Sequence, residues 1–303
     1  MRYLPKLQQL QTFQAVLLHG SIRNAAKALG QSQPGVTRSL QELEQILGIS
    51  LMTRGNAGVV LTDVGRLFNS RIELVLNELD RALDEIEHYN LSTSGPVTIG
   101  LSLSPILTIF PGAIKRFKLE NKKSCVTNFE GNVSELLPDL RSGKLDFIIC
   151  AHTPLDYLSG LTQESLINTH YFIYARKGHP LANCTSLAEL QEADWFLPVT
   201  KMGYNDQLEQ LLFKHNNQKN RSIMRGTGVA AMQMMINSDY LTIATGKMVN
   251  NNPLMHNFCI IPVKETLPEA NFSLIYSSER PLTLAAKKLM NEFRLESQHY
   301  DWS

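Results

Sequence analysis

The sequence predicts an α/β protein in two unequal parts: a small helical domain closed by a hairpin, and a larger region of alternating strands and helices, joined by one long helix. Three observations carry this reading. Apolar residues in the first 47 positions recur at helical spacing and are cut by glycines. A heptad stripe without proline follows. Beyond residue 96, period-two apolar runs alternate with helical ones. With 303 residues and 43% hydrophobic content the chain can bury one large core or form two or three smaller domains.

The elements follow in order. Leu7, Leu10, Phe13, Val16 and Leu17 share one helix face, and Gly20 stops the run. Ser21 caps a second helix through Ala25, Ala26 and Leu29, ended by Gly30. Ser32 precedes Gln33-Pro34, with proline in the first turn of a third helix. Its buried stripe is Val36, Leu40, Leu43 and Leu47, and Gly48 ends it. Ile49–Thr62 is rich in glycine and β-branched residues, and Asn56 to Gly58 suit a hairpin turn. Residues 1–62 form the first domain.

Thr62 caps a long helix over 63–89. Phe68, Ile72, Val75, Leu79, Ala82, Ile86 and Tyr89 are spaced 4, 3, 4, 3, 4, 3, with Leu76 and Leu83 on one flank. At 1.5 Å per residue the helix is roughly 40 Å long, more than a sixty-residue domain covers, so a second copy of the chain is expected on the stripe, with packing on its own chain as the alternative. Residues 90–96, NLSTSGP, are a linker by composition.

Strands are then expected from Val97 to Leu103, Val126–Phe129, Asp146–Ala151, Tyr171–Ala175, Trp195–Val199, Tyr240–Thr245, Phe258–Val263 and Phe272–Ser277. Helices are expected through Ile114, Phe117 and Leu119, from Asn132 with Glu135 completing a capping box, and near Ser186–Leu190, Asn205–His215, Val229–Ile236 and Leu282–Phe293. The alternation predicts parallel-rich sheets in one lobe or two.

Composition narrows the function classes. The net charge of +1 is silent about polyanions, but residues 1–60 set Arg2, Lys6, Arg23, Lys27, Arg38 and Arg54 against Glu42 and Glu44 alone. Cys125, Cys150, Cys184 and Cys259 are widely spaced, which argues for buried free thiols rather than a zinc or redox motif. There is no secretory apolar core and no apolar run long enough for a bilayer, so a soluble cytoplasmic protein without a membrane partner is expected. GxSxG, HExxH, P-loop and GxGxxG motifs are absent, and His152, His170, His179, His215 and His256 are scattered as surface or hydrogen-bonding residues. Neither an enzymatic activity nor a metal or cofactor is expected.

The run GSIRNAAKALGQSQPGVTRSL, residues 20–40, is a helix-turn-helix signal. Small Ala25 and Ala26 let two helices cross closely. The third helix then presents Ser32, Gln33, Pro34, Gly35, Thr37, Arg38 and Gln41 at its start and outer face, short polar groups and one guanidinium suited to phosphates and base edges. Arg54, in the hairpin, can reach a flanking phosphate or the minor groove.

These residues resemble the winged helix-turn-helix of the LysR-type transcriptional regulators. The resemblance rests on Leu10…Phe13, the 20–54 run with Ser32-Gln33-Pro34 and Leu43-Glu44…Leu47-Gly48…Leu51…Arg54, and Leu61-Thr62…Gly65. It continues through Leu140-Arg141-Ser142-Gly143-Lys144-Leu145-Asp146 and Lys177-Gly178-His179-Pro180-Leu181, and so covers essentially the whole chain. Gly35 departs from the usual second small or proline residue, and Thr37-Arg38 stands where Ser-Arg is commoner, keeping hydroxyl and cation. Within the family the chain is most similar to regulators of amino-acid or aminoacyl-compound catabolism, on Leu4-Pro5-Lys6, Asn56…Gly58-Val59, Lys201-Met202-Gly203-Tyr204 and Ile261-Pro262-Val263…Glu265-Thr266-Leu267-Pro268.

The resemblance implies a two-lobed effector domain like the periplasmic binding proteins, with two crossing strands. Lobe I would be residues 97–167 and 267–303, and lobe II residues 168–266. A small-molecule effector, a carboxylate by the chemistry of the groups, would sit between them on Ser102, Ser104, Pro105, Thr200, Met202, Gly203, Thr227 and Gly228, at strand ends and helix starts. The partners implied are double-stranded DNA at a pseudo-palindromic operator, further copies of the chain in a homodimer or homotetramer, and RNA polymerase. The competing reading is a cytoplasmic small-molecule-binding protein or enzyme on a binding-protein fold with a dimerising helical N-terminus.

Overall fold

The computed structural model describes residues 3–55, 58–90, 95–199, 210–213, 222–246 and 253–302. It divides into two compact units, Met1–Ile86 and Glu87–Ser303.

In the first unit α1 (Leu7–His19), α2 (Ile22–Ala28) and α3 (Gln33–Leu47) precede the hairpin β1 (Met52–Gly55) and β2 (Gly58–Leu61). The Ser21 Oγ accepts from Asn24 N at 3.2 Å and starts α2. Ala25 and Ala26 are buried between the helices, beside Leu10, Phe13, Val16, Val36, Leu40, Leu43 and Leu51. The hairpin is antiparallel, Met52 facing Leu61 and Gly55 facing Gly58; Asn56 of the expected turn lies outside the described residues. Glu44 fixes the hairpin to α3, its Oε1 accepting from Leu51 N at 2.7 Å and Met52 N at 3.2 Å.

The long helix α4 spans Asp63–Asn90, 28 residues. The Thr62 hydroxyl accepts from Gly65 N at 2.9 Å, as a cap should. Gly65 itself is required by packing, because a Cβ there would overlap Leu51 O. The heptad stripe divides. Phe68 stacks edge-on with Phe13, ring centroids 5.5 Å apart, and Ile72 and Leu76 are buried in the unit's own core. Val75, Leu79, Leu83 and Ile86 are 51%, 36%, 58% and 61% exposed. The expectation that the whole stripe awaits a partner is therefore corrected: its first third covers the helical domain, and Val75, Leu79, Leu83 and Ile86 are the part that stays open among the described side chains.

The second unit contains β3 (Val97–Leu101), α5 (Leu103–Leu107), α6 (Phe110–Glu120), β4 (Val126–Glu130), α7 (Val133–Arg141), β5 (Phe147–Ala151), β6 (Leu161–Arg176), β7 (Trp195–Pro198), β8 (Ile223–Gly226), α8 (Gly228–Asn237), β9 (Thr242–Thr245), β10 (Phe258–Ile260), β11 (Glu269–Ser277) and α9 (Leu284–His299). The large sheet runs β10-β6-β11-β5-β3-β4, with β9 also on β6, and β7-β8 form a separate pair. The β3–β4, β3–β5 and β7–β8 pairs are parallel, whereas β11 runs antiparallel to β5 and β6, and β9 and β10 antiparallel to β6. The sheet is thus mixed rather than parallel-rich.

The difference lies in β6 and β11. The sequence predicts a strand only at Tyr171–Ala175, but β6 has 16 residues. Its first part, Leu161–His170, pairs with β11, and Tyr171–Arg176 pairs with β9 and β10. One strand therefore serves two cores. The first gathers Val97, Ile99, Leu101, Phe117, Phe147, Leu274, Leu289 and Phe293. The second gathers Ile173, Ala175, Trp195, Leu197, Leu241, Ile243 and Ile261. A smaller cluster joins them, with Leu107 from the first side against Tyr174, Met235, Met255 and Phe258.

The Asn132–Glu135 capping box forms as expected. The helix expected at Ser186–Leu190 is a single 3-10 turn, Leu187–Leu190, and of Asn205–His215 only 210–213 are described. Cys150 is buried, its thiol pushed up to about 12 by burial. Cys125 is exposed, which corrects the expectation of uniformly buried thiols. Among the described residues no helix is long and apolar enough to cross a membrane.

Candidate functional site

The outer face of α3 is a consequence of spacing. Gln33, Pro34, Thr37, Arg38 and Gln41 fall on one side of the helix, opposite buried Val36, Leu40 and Leu43. Gln33, Pro34, Arg38 and Gln41 are exposed, as are Ser32 and Gly35, and Thr37 is half-buried. Two groups are spent locally: Ser32 Oγ accepts from Gly35 N at 3.2 Å, and Thr37 Oγ1 donates to Gln33 O at 3.0 Å. Those bonds fix the helix start. Arg38 has no protein partner among the described residues, so its five donors remain available to an anion. Arg54 stands on β1 opposite Val59, and its side chain lies outside the described part of the structure. Sequence reasoning misses Glu44, whose grip on the hairpin sets the wing against α3; a carboxylate on a half-buried helix face is its only signal.

The second set of residues converges where β3, β8 and β9 end. Ser102 N donates to Ile149 O at 3.0 Å, and its half-buried hydroxyl reaches the same oxygen at 3.4 Å without capping α5. Pro105 is buried. The Ser104 Oγ meets Thr245 Oγ1 at 2.5 Å, a hydroxyl pair spanning 141 residues of sequence. Exposed Thr227 caps α8, its Oγ1 accepting from Ala230 N at 3.3 Å. Gly228 abuts Leu103. Ser102, Ser104, Thr227 and Gly228 are thus brought to one region, whereas Thr200, Met202 and Gly203 lie outside the described residues. Sequence reasoning also misses Thr245, which as the last residue of a buried strand carries no local signal.

Of the histidines singled out in the sequence, His152 and His179 make side-chain hydrogen bonds, and His215 lies outside the described residues. His152 Nδ1 lies 3.0 Å from Ser273 Oγ. Buried His179 accepts from Leu181 N at Nδ1 (2.9 Å), which leaves Nε2 to donate to Asp239 O at 3.0 Å. Among the described residues no cluster of three His, Cys, Asp or Glu could hold a metal.

Comparison with known proteins matches the geometry. Residues 7–66 match the model of the bacterial regulatory helix-turn-helix protein of the lysR family, and residues 91–297 match the LysR substrate binding domain. The HTH-type transcriptional regulator TdcA of Escherichia coli (strain K12) is 33% identical over 288 residues, 95% of this chain and 92% of that protein. Among solved structures, full-length CbnR complexed with its target DNA superposes with a TM-score of 0.69 at 20% identity, covering 96% of this chain and 99% of CbnR. A full-length OxyR variant from Pseudomonas aeruginosa gives 0.67 at 16%, covering 99% of each chain. The competing carrier or enzyme reading falls with these matches. The chain belongs to the LysR family of DNA-binding transcription regulators, with an N-terminal helix-turn-helix and a two-lobed effector-binding domain.

Proposed function

We propose that the chain reads two half-sites of a pseudo-palindromic operator with paired α3 helices and answers to a small carboxylate held between two effector lobes. The organisation is a DNA-binding domain over 1–62, a dimerising helix over 63–89, a linker over 90–96, lobe I over 97–167 and 267–303, and lobe II over 168–266. The observation that carries the reading is the α3 face: Gln33, Pro34, Arg38 and Gln41 exposed on one side, with Arg38 unpaired among the described residues. Such a face offers bidentate donors to guanine or phosphate. Arg54 on the hairpin would hold the flanking backbone. Val75, Leu79, Leu83 and Ile86, exposed in the single chain, supply the apolar seam for a second copy, and two dimers would make the tetramer. The protein acts in the cytoplasm, with RNA polymerase as the partner through which occupancy becomes transcription.

The effector would lie on Ser102, Ser104, Thr227, Gly228, Thr200, Met202 and Gly203, over buried Pro105. TdcA, itself an HTH-type transcriptional regulator, supports the reading of a DNA-binding regulator. A ligand shifts such a protein only through unequal affinity for two arrangements.

Mapping protected DNA upstream of the neighbouring gene tests the reading. Two protected half-sites about one helical turn apart are expected, lost together as salt rises. Uniform, sequence-independent protection would overturn it.

A further inference from the structure

Among the described residues of the cleft assigned above, side chains from its two sides meet. Leu103, the first residue of α5, lies against Gly228, the first residue of α8. A Cβ built on Gly228 would overlap Leu103 Cδ2, although Leu103 Cβ would stand 3.7 Å away, at ordinary contact distance. One residue further on, the Ser104 hydroxyl meets Thr245 at 2.5 Å. Below both contacts, Leu107 of α5 is buried among Tyr174, Met235, Met255 and Phe258, with Met232 packed alongside. The Tyr174 hydroxyl donates to Gly246 O, next to Thr245, and holds the end of β9 in place.

The conformation of Gly228 does not explain the choice of residue. It starts a helix, no positive φ is recorded for it, and alanine would serve that role better. The atoms nearest to a side chain at this position all belong to Leu103, on a helix 125 positions earlier in the chain. The methionines beneath can re-pack as that neighbour moves, because an unbranched thioether fills irregular gaps without a fixed shape.

We infer that Leu103 and Gly228 form a size-matched latch that sets how closely the two lobes approach, with the Ser104–Thr245 hydroxyl pair as its polar half. A ligand seated between α5 and α8 has to part this latch, so Leu103 and Gly228 position the cleft walls without supplying a charged contact. The inference rests on the cleft reading for its meaning in regulation, but the latch is measurable without any ligand.

Hydrogen exchange of the full-length protein, read by mass spectrometry with no ligand added, tests it. Gly228→Ala wedges the helices apart, and overpacking of this kind should speed exchange in segments 102–109 and 227–231 by at least about tenfold. Segment 286–293 of α9, in the first core, should be unchanged. Leu103→Ala in the Gly228→Ala background removes the overlapping atoms and should return exchange to within about threefold of the parent. Unchanged exchange in Gly228→Ala overturns the latch. So does a double variant as perturbed as the single one, whether in exchange or through loss of the folded state. A cleft that binds no acid would count against the effector reading while leaving the latch standing.

Discussion

The start of α3 and the meeting of α5 with α8 both gather short polar side chains, and they hold them in opposite ways. On α3 the hydroxyls of Ser32 and Thr37 are spent inside one helix turn, and that leaves Arg38, Gln33 and Gln41 open to solvent in fixed positions. At the cleft, Ser104 and Thr245 satisfy each other, Thr227 caps its own helix, and Leu103 fills the space above Gly228. If both bind as proposed, the first surface is preformed and would lose little ordering entropy, whereas the second would have to break contacts before making any. On the proposed reading this asymmetry suits a regulator: DNA would meet a ready face, and the signal would meet a site that has to open.

The largest effect should come from separating the paired faces. Leu79→Asp puts one charge from each copy into the apolar seam, and a buried unpaired charge costs about 3–5 kcal/mol. Leu79 is 36% exposed in the single chain, so folding should survive while sedimentation shows dissociation. An unchanged mass would mean that the open part of the stripe is not the seam. Next in size, Arg38→Ala should lower operator affinity by about 1–3 kcal/mol per half-site. The melting temperature should stay unchanged, because Arg38 makes no hydrogen bond or ion pair among the described residues. Near-parental affinity in a gel-shift titration would remove Arg38 from the reading face.

The two regions also differ in how much of them the sequence discloses. The DNA-binding unit is built from near neighbours: Ser21, Ser32 and Thr62 bond three residues ahead, and the Ala25-Ala26 pair marks the helix crossing. Periodicity reads such local relations directly. The cleft is built from distant pairs, Ser104 with Thr245 and Leu103 with Gly228, to which local pattern is blind. Strand β6 is only half legible for a related reason. Its first part carries Gln163, Glu164, Ser165, Asn168 and His170, polar enough to look like a loop until β11 pairs with it, and a bulge at Phe272/Ser273 breaks the period. Strand β8 has only Ile223-Met224 before Arg225-Gly226, and it forms through its parallel partner β7.

If the cleft must break a bond to bind, Ser104→Ala should cost less than an open hydroxyl would. A hydrogen bond to a carboxylate contributes about 1.5–3 kcal/mol, but the parent first gives up the Thr245 pair, worth about 0.5–1.5 kcal/mol. Calorimetry over a panel of amino, keto and aromatic acids should therefore show a loss of about three- to tenfold in the variant. A carboxylate bound equally well by parent and variant, or a neutral compound winning the panel, would remove Ser104 from the site.

The smallest effect concerns the strand that carries both lobes. Arg294 of α9 grips Glu164 of β6 with Nε and Nη2 each 2.8 Å from a carboxylate oxygen. These hydrogen bonds hold Glu164 below the usual carboxylate range, with the Coulomb attraction of Arg294 acting in the same direction and partial burial opposing. A carboxylate whose folded-state pKa is depressed contributes its stability above the unfolded value, near 4.3, and loses it as pH falls through the folded one. The second unit should therefore weaken in acid below roughly pH 4, on the side where Glu164 protonates. About a third of each side chain stays exposed (37% for Glu164, 32% for Arg294), so solvent screening keeps the contribution under about 1 kcal/mol. Glu164→Gln should lower stability slightly at neutral pH and flatten the acid decline, read as exchange in the first part of β6 between roughly pH 5 and 3. The α1–α3 helices, where no counterpart ion pair is recorded among the described residues, serve as the internal control. An acid decline identical in parent and variant would mean that Arg294 and Glu164 meet in the folded state without stabilising the strand that serves both cores.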